Sequence, residues 1–213
     1  TGRFTQSTDQ PPQPTWRNTR VFSLKERIDL LESDLVTVPP RVSVYHDMPF
    51  AILRYDPPEE WELRRQLKLL ATRIEATGKK VHFISMSDFL WESIDKSEGL
   101  SEVVDLERQR GFLTAQEQVT TYLSDRDWCP LWELLKDRLG GLDPAKDIAF
   151  LTRVASMAPR MYEMSKLLDQ MQGKTAITTI LFYPGSIEGT TGLRFMALKE
   201  RDALGNYRVK IYG

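Results

Sequence analysis

Thiols and imidazoles are scarce in this sequence. Of its 213 residues only Cys129 carries a thiol and only His46 and His82 an imidazole. No intramolecular disulfide can form, and a four-ligand zinc site would need carboxylates to complete it. A reducing compartment is expected. Charge of one sign is not in excess either: 29 basic face 30 acidic side chains, a net charge of -1, which gives no global pull on nucleic acid. No apolar run approaches the roughly 20 residues that span a bilayer. The first twenty residues lack the charged-then-apolar layout of a secretory signal. The cytoplasm is the expected location. A glycine-rich phosphate loop is also missing where one would be needed. After the first predicted strand the chain reads Asp56-Pro57-Pro58-Glu59-Glu60, which removes two amide donors and adds three negative charges. That excludes ATP, NAD or phosphate bound at the first turn in the usual way, and no cofactor is expected. The one glycine-rich loop, Gly185 to Gly192, joins two predicted strands and lacks a lysine, so it is expected to be a surface loop.

What remains is ordinary globular material, 41% hydrophobic and 28% charged. A chain of this length buries roughly 70% of its unfolded surface and needs no covalent staples. Residues 1–20, with Pro11, Pro12 and Pro14 and few apolar side chains, predict a mobile lead-in. Residues 21–213 predict a single domain.

Within that domain Ser23 and Glu26 form a capping box ahead of Leu24, Ile28, Leu31 and Leu35 at helical spacing. Phe50 to Tyr55 reads as a buried strand. Asp56 then caps a helix with Pro57 at its first position, the stripe Leu63, Leu67, Leu70 and Ile74, and Gly78 at its end. Lys80 to Ser85 is a second strand, and Ser87 or Asp88 caps the helix after it. Residues 99–141 predict three helices, one opened by Ser101, one by a Thr114–Glu117 capping box, and one lined by Trp128, Leu131, Trp132 and Leu135. Asp147 to Arg153 and Ala176 to Tyr183 are strands, separated by a helix after Pro159. Leu193 to Leu198 and Tyr207 to Tyr212 predict a terminal antiparallel hairpin turning at Asp202 to Asn206. Four strands separated by helices predict an α/β fold, a mostly parallel four-stranded sheet between two helical layers, with the hairpin at its edge.

In such sheets ligands bind outside the carboxyl ends of the strands. Those ends deliver Asp56, Asp88, Arg153, Tyr183 and Gly185, a candidate crevice of acid, base and hydroxyl groups. The competing reading makes Asp56 and Asp88 helix caps, Arg153 an ion-pair partner for one of them, and Tyr183-Pro184-Gly185 a turn. Neither histidine has a nucleophile motif beside it, and Cys129 reads as a packed side chain. Arg64, Arg65 and Lys68 form a small basic patch that direct nucleic-acid contact would use, although such patches are usually solvated helix faces. Trp128, Trp132, Met161, Tyr162 and Met164 are either core or a protein interface, since methionine- and tryptophan-bearing faces serve both.

Four strings in order carry a family resemblance: Met48 to Pro57; Glu60 to Arg65 with Leu70 to Arg73; Phe150 to Val154 before Pro159; and Leu181 to Gly185 leading to Leu193 to Phe195. Together they resemble the BrxB family of bacterial BREX (bacteriophage exclusion) systems. The resemblance implies a small bacterial component of anti-phage defence with no catalytic residues to carry over. It also implies partners: a PglZ-like subunit of the alkaline-phosphatase type directly, with the methyltransferase and large ATPase in the same assembly. The expectation is a non-enzymatic adaptor. The rivals are a degenerate nucleotide- or metal-binding, nuclease-like protein using the strand-end crevice, and a DNA-contacting subunit.

Overall fold

Ser23 opens the first helix as its capping box predicts. Its Oγ accepts from the Glu26 amide at 3.3 Å, and the Glu26 carboxylate accepts from the Ser23 amide at 2.9 Å. The computed structural model describes residues 22–42, 48–159, 161–188, 192–198, 207 and 209–213. The expected lead-in up to Arg20, His46 and the Asp202–Asn206 turn lie outside them. In chain order the elements are α1 (Leu24–Val36), β1 (Phe50–Tyr55), α2 (Glu60–Glu75), β2 (Lys80–Ser85), α3 (Met86–Lys96), α4 (Leu100–Arg110), α5 (Phe112–Ser124) and α6 (Leu131–Gly140). β3 (Asp147–Thr152), α7 (Met164–Met171), β4 (Thr178–Glu188), β5 (Gly192–Phe195) and β6 (Lys210–Tyr212) complete the chain.

Several helix starts differ from their predicted form. Pro57 to Glu59 make a 3-10 turn before α2 begins at Glu60. Ser85, the last residue of β2, caps α3 through the Asp88 amide, so strand and helix join with no loop. Thr114 lies inside α5 and donates to the Arg110 carbonyl at 3.3 Å rather than capping. Gly99 and Gly111 precede α4 and α5 with φ of 85° and 88°. Only glycine adopts that backbone cheaply, and it lets consecutive helices turn without a polar cap.

β2, β3, β4, β1 and β6 lie side by side in that order, all parallel. β5 runs antiparallel along the far end of β4, from Gly185↔Phe195 to Glu188↔Gly192. Alternation along the strands sorts the core into two layers. Ala51, Leu53, Tyr55, Val81, Ile148, Phe150, Ile180 and Phe182 face α1 and α2. Phe50, Ile52, Ile84, Ala149, Leu151, Leu181 and Tyr183 face α3, α5, α6 and α7. The result is the predicted α/β sandwich of a mostly parallel sheet between helical layers.

The two last strands do not pair with each other, as the hairpin expectation had it. β5 extends β4, while β6 pairs in parallel with β1. The open edge of the fully buried β1 requires hydrogen-bonding partners. Side chains lock β6 there, because Tyr212 Oη and Lys210 Nζ both donate to Asp34 of α1, at 2.6 and 2.5 Å. Among the described residues no helix is long and apolar enough to cross a membrane.

Candidate functional site

All five parallel strands end on the same side of the sheet, and β1 brings a charge there. Its sequence Phe-Ala-Ile-Leu-Arg-Tyr holds one charged residue in an otherwise apolar strand, and Arg54 is only 9% exposed. Arg54 Nη1 is ion-paired with Asp56 and lies 3.5 Å from the Gly185 carbonyl, while its Nε is buried without a partner. A second arginine approaches from α1. Arg27, 2% exposed, donates from Nη1 to the Arg54 carbonyl at 2.9 Å and from Nη2 to Glu59 at 3.4 Å. Burial first, and the neighbouring Arg54 charge second, lower the pKa of Arg27. Two guanidiniums and two carboxylates thus lock α1, β1 and the turn into α2 together. Neither arginine was among the sequence candidates. Their signals were present: Arg27 interrupts the apolar stripe of α1, and Arg54 interrupts an apolar strand.

The chain leaves β1 towards the α2 layer and β3 towards the α7 layer, so the topological switch falls at β4 between them. That position is filled from within. Tyr183 is buried beneath Phe195 and Tyr207, with ring centroids 5.5 and 6.1 Å away. Gly185 lies under β5 so tightly that a Cβ there would come within 2.1 Å of the Arg194 carbonyl oxygen. β4 continues through the switch point and carries β5 over it.

At the neighbouring ends Ser85 Oγ and Ser87 Oγ both donate to Asp88 Oδ1, at 2.9 and 3.3 Å. Arg153 sits in left-handed backbone, φ 56° and ψ 33°, and is exposed. Among the described residues it has no ion pair, so the expected pairing with Asp56 or Asp88 is not formed. Arg54, two residues earlier in the chain, takes Asp56 instead. The structure therefore brings Asp56 and Gly185 together through Arg54, and sets Asp88 and Arg153 on the ends of β2 and β3.

The remaining candidates sort by burial. His82 Nε2 meets Asp147 Oδ1 at 3.0 Å in an internal pair between adjacent strands. Cys129 is half-buried, and burial raises its thiol pKa. Arg64 and Arg65 are paired with Glu60 and Glu62 along α2, leaving Lys68 exposed beside them. Trp132, Tyr162 and Met164 are buried in the core, Met161 packs against it, and Trp128 stays partly exposed beside Tyr122. Apolar side chains that sequence reasoning passed over stand in solvent on the same helical layer. α4 has no buried residue, and Leu100, Phe112 and Leu113 are 46, 54 and 71% exposed.

Comparison with known families bears on the chain from β2 onward, which leaves out the Arg27, Arg54, Asp56 and Glu59 cluster. Residues 82–211 match the profile of the BREX protein BrxB family. The chain belongs to the BrxB family. The matched span runs from within β2 to β6 and contains the strings Phe150 to Val154, Leu181 to Gly185 and Leu193 to Phe195. Membership makes this BrxB-family chain a component of a BREX phage-defence system. No curated protein and no solved structure matches it.

Proposed function

We propose that this BrxB-family chain is a non-enzymatic adaptor that holds a PglZ-like subunit of the BREX assembly. The observation that carries the reading is the α4–α5 hairpin. α4 buries no residue of its own, and Leu100, Phe112 and Leu113 are apolar side chains that no described residue covers. Large apolar side chains left in solvent at both ends of α4 support a contact role for this hairpin. The strand-end positions where α/β enzymes place their chemistry support the same reading, because Tyr183 and Gly185 lie beneath Phe195, Tyr207 and Arg194. The methyltransferase and ATPase components would join through the same assembly.

The test is co-expression with the PglZ-like protein followed by size-exclusion chromatography with light scattering. A complex of defined mass is expected. Leu113→Asp with Phe112→Asp should abolish it while changing stability by no more than about 0.5 kcal/mol, as solvent-facing substitutions do. Separate elution of the two wild-type proteins would overturn the proposal.

A further inference from the structure

β2 closes one side of the sheet. It pairs with β3 on its inner edge and, among the described residues, with nothing on its outer edge. The Lys80 amide donates to the Lys146 carbonyl on the β3 side at 2.8 Å. Backbone groups of successive strand residues point to opposite edges, so Lys80, His82 and Ile84 serve β3, while Val81 and Phe83 direct their N–H and C=O groups outward; the carbonyl of Ser85, the cap of α3, is taken by the helix. Such a row is a template for another strand. Phe83 stands at its centre. It is 48% exposed, although its ring edge meets Phe150 at 5.6 Å on the α1–α2 side of the sheet.

The two ends of this edge carry opposite charges. Lys80 opens it, exposed, and Asp88 follows it in the first turn of α3, also exposed. Neither has an ion-pair partner among the described residues. The acid beside Lys80 across the sheet, Asp147, is hydrogen-bonded by His82 and by the Asp143 amide, and Lys80 acts on it through its charge without closing an ion pair. Lys80 shares the face of Ile84, which is the face that α3 covers.

These features fit one occupant, a second copy of this chain. We infer that β2 is a self-association edge, at which two copies pair antiparallel about a two-fold axis through Phe83. In that register Phe83 faces Phe83 of the second copy, the two exchanging N–H to C=O bonds, and Val81 faces Ser85. Lys80 falls opposite Met86, two residues before Asp88 and on the same face. Each lysine then meets the unpaired carboxylate of the other copy, twice by symmetry. A parallel arrangement would set lysine beside lysine.

Sedimentation of the full chain from micromolar to hundreds of micromolar tests this. The expected mass rises to twice 24.6 kDa. Phe83→Glu, which sets two carboxylates face to face on the axis, should weaken association by at least about tenfold. Lys80→Glu, a change at an exposed side chain, should weaken it several-fold and reverse its salt dependence, because carboxylate then faces carboxylate. Lys80→Glu combined with Asp88→Lys should restore both. A monomer at every concentration overturns the inference, as does a dimer indifferent to both Phe83→Glu and Lys80→Glu. A monomer whose complex with the PglZ-like protein is lost on Phe83→Glu would assign the edge to a foreign strand and overturn self-association while leaving the adaptor reading standing.

Discussion

Arg27 Nη1 donates to the backbone carbonyl of Arg54 at 2.9 Å, and so the first helix is tied to the carboxyl end of a central strand by a buried charge. The same guanidinium reaches Glu59, and Arg54 itself turns to Asp56 and Gly185. Alternating charges thus offset the desolvation that burial imposes on each. The cluster holds three segments that lie far apart in sequence.

Removing Arg27 should therefore be costly out of proportion to its packing. Arg27→Ala takes the donor from the buried Arg54 carbonyl and leaves the half-buried Glu59 carboxylate with only the Asp56 amide, and is expected to destabilise by about 3 kcal/mol. Arg27→Lys keeps the charge without the fork that spans two acceptors, so its loss should be smaller. Urea denaturation followed by far-ultraviolet circular dichroism measures both. An alanine variant with an unshifted midpoint would refute this account of the cluster.

The fold should weaken in acid. Burial opposes ionisation of Asp34, yet hydrogen bonds from Lys210 and Tyr212 outweigh it and hold the carboxyl below its usual range. Asp147 is held low by the Asp143 amide and by His82. A depressed carboxyl contributes stability that is complete above its unfolded pKa, about 4, and is lost as pH falls through the folded value. Unfolding free energy should be flat above about pH 5 and drop below about pH 4. Asp34→Asn should lower the plateau and flatten the drop, as read from chemical denaturation across that range.

Gly185→Ala tests the close approach of β5. The new methyl would stand 2.1 Å from the Arg194 carbonyl oxygen, a backbone atom that cannot swing aside. Separation of β5 from β4, or a strained pair, should cost about 1–3 kcal/mol, the usual range for overpacking. A lowered melting temperature with increased amide exchange at Phe195 and Met196 is the expected result. Alanine substitution at exposed Gly141, where nothing stands within 4 Å of a Cβ, serves as the control.

Cys129 should react slowly. Burial raises its pKa, so little thiolate is present near neutrality. Labelling with a coloured aromatic disulfide should be slow at pH 7 and accelerate only as pH rises beyond the ordinary thiol range. Fast labelling of the folded protein at pH 7 would show that the thiol is not shielded.

Local signals were legible wherever one residue type decides backbone geometry. The Ser23–Glu26 box, the stripe Leu63, Leu67, Leu70 and Ile74, the bounds of β2 and the positive φ of Gly78 all follow from the order of residues. Sequence order also placed Asp56 and Arg153 directly after β1 and β3 and Asp88 in the first turn after β2, whereas Tyr183, expected at a strand end, lies inside β4, which runs on to Glu188. Caps were less legible, since Ser85 and Ser87 are chemically equal and only the exit angle of β2 selects the first.

Strand neighbours were decided by tertiary structure. Two short strands at the end of a chain read as a hairpin, because local pairing loses the least entropy. The buried edge of β1 outweighs that preference: its residues Ala51 to Leu53 gain a parallel ladder from β6, and Asp34 secures Lys210 and Tyr212. The switch point was likewise visible only in three dimensions, since β4 had to be seen continuing past Tyr183 for Gly185 to lie under Arg194. Most helices and strands, their layers and the family resemblance of this chain could be read from residue order, because periodicity and motif order are properties of neighbours along the chain. The burial of Arg27 and Arg54, the covered strand ends and the open edge at Phe83 depend on contacts between residues remote in sequence, and only packing sets those.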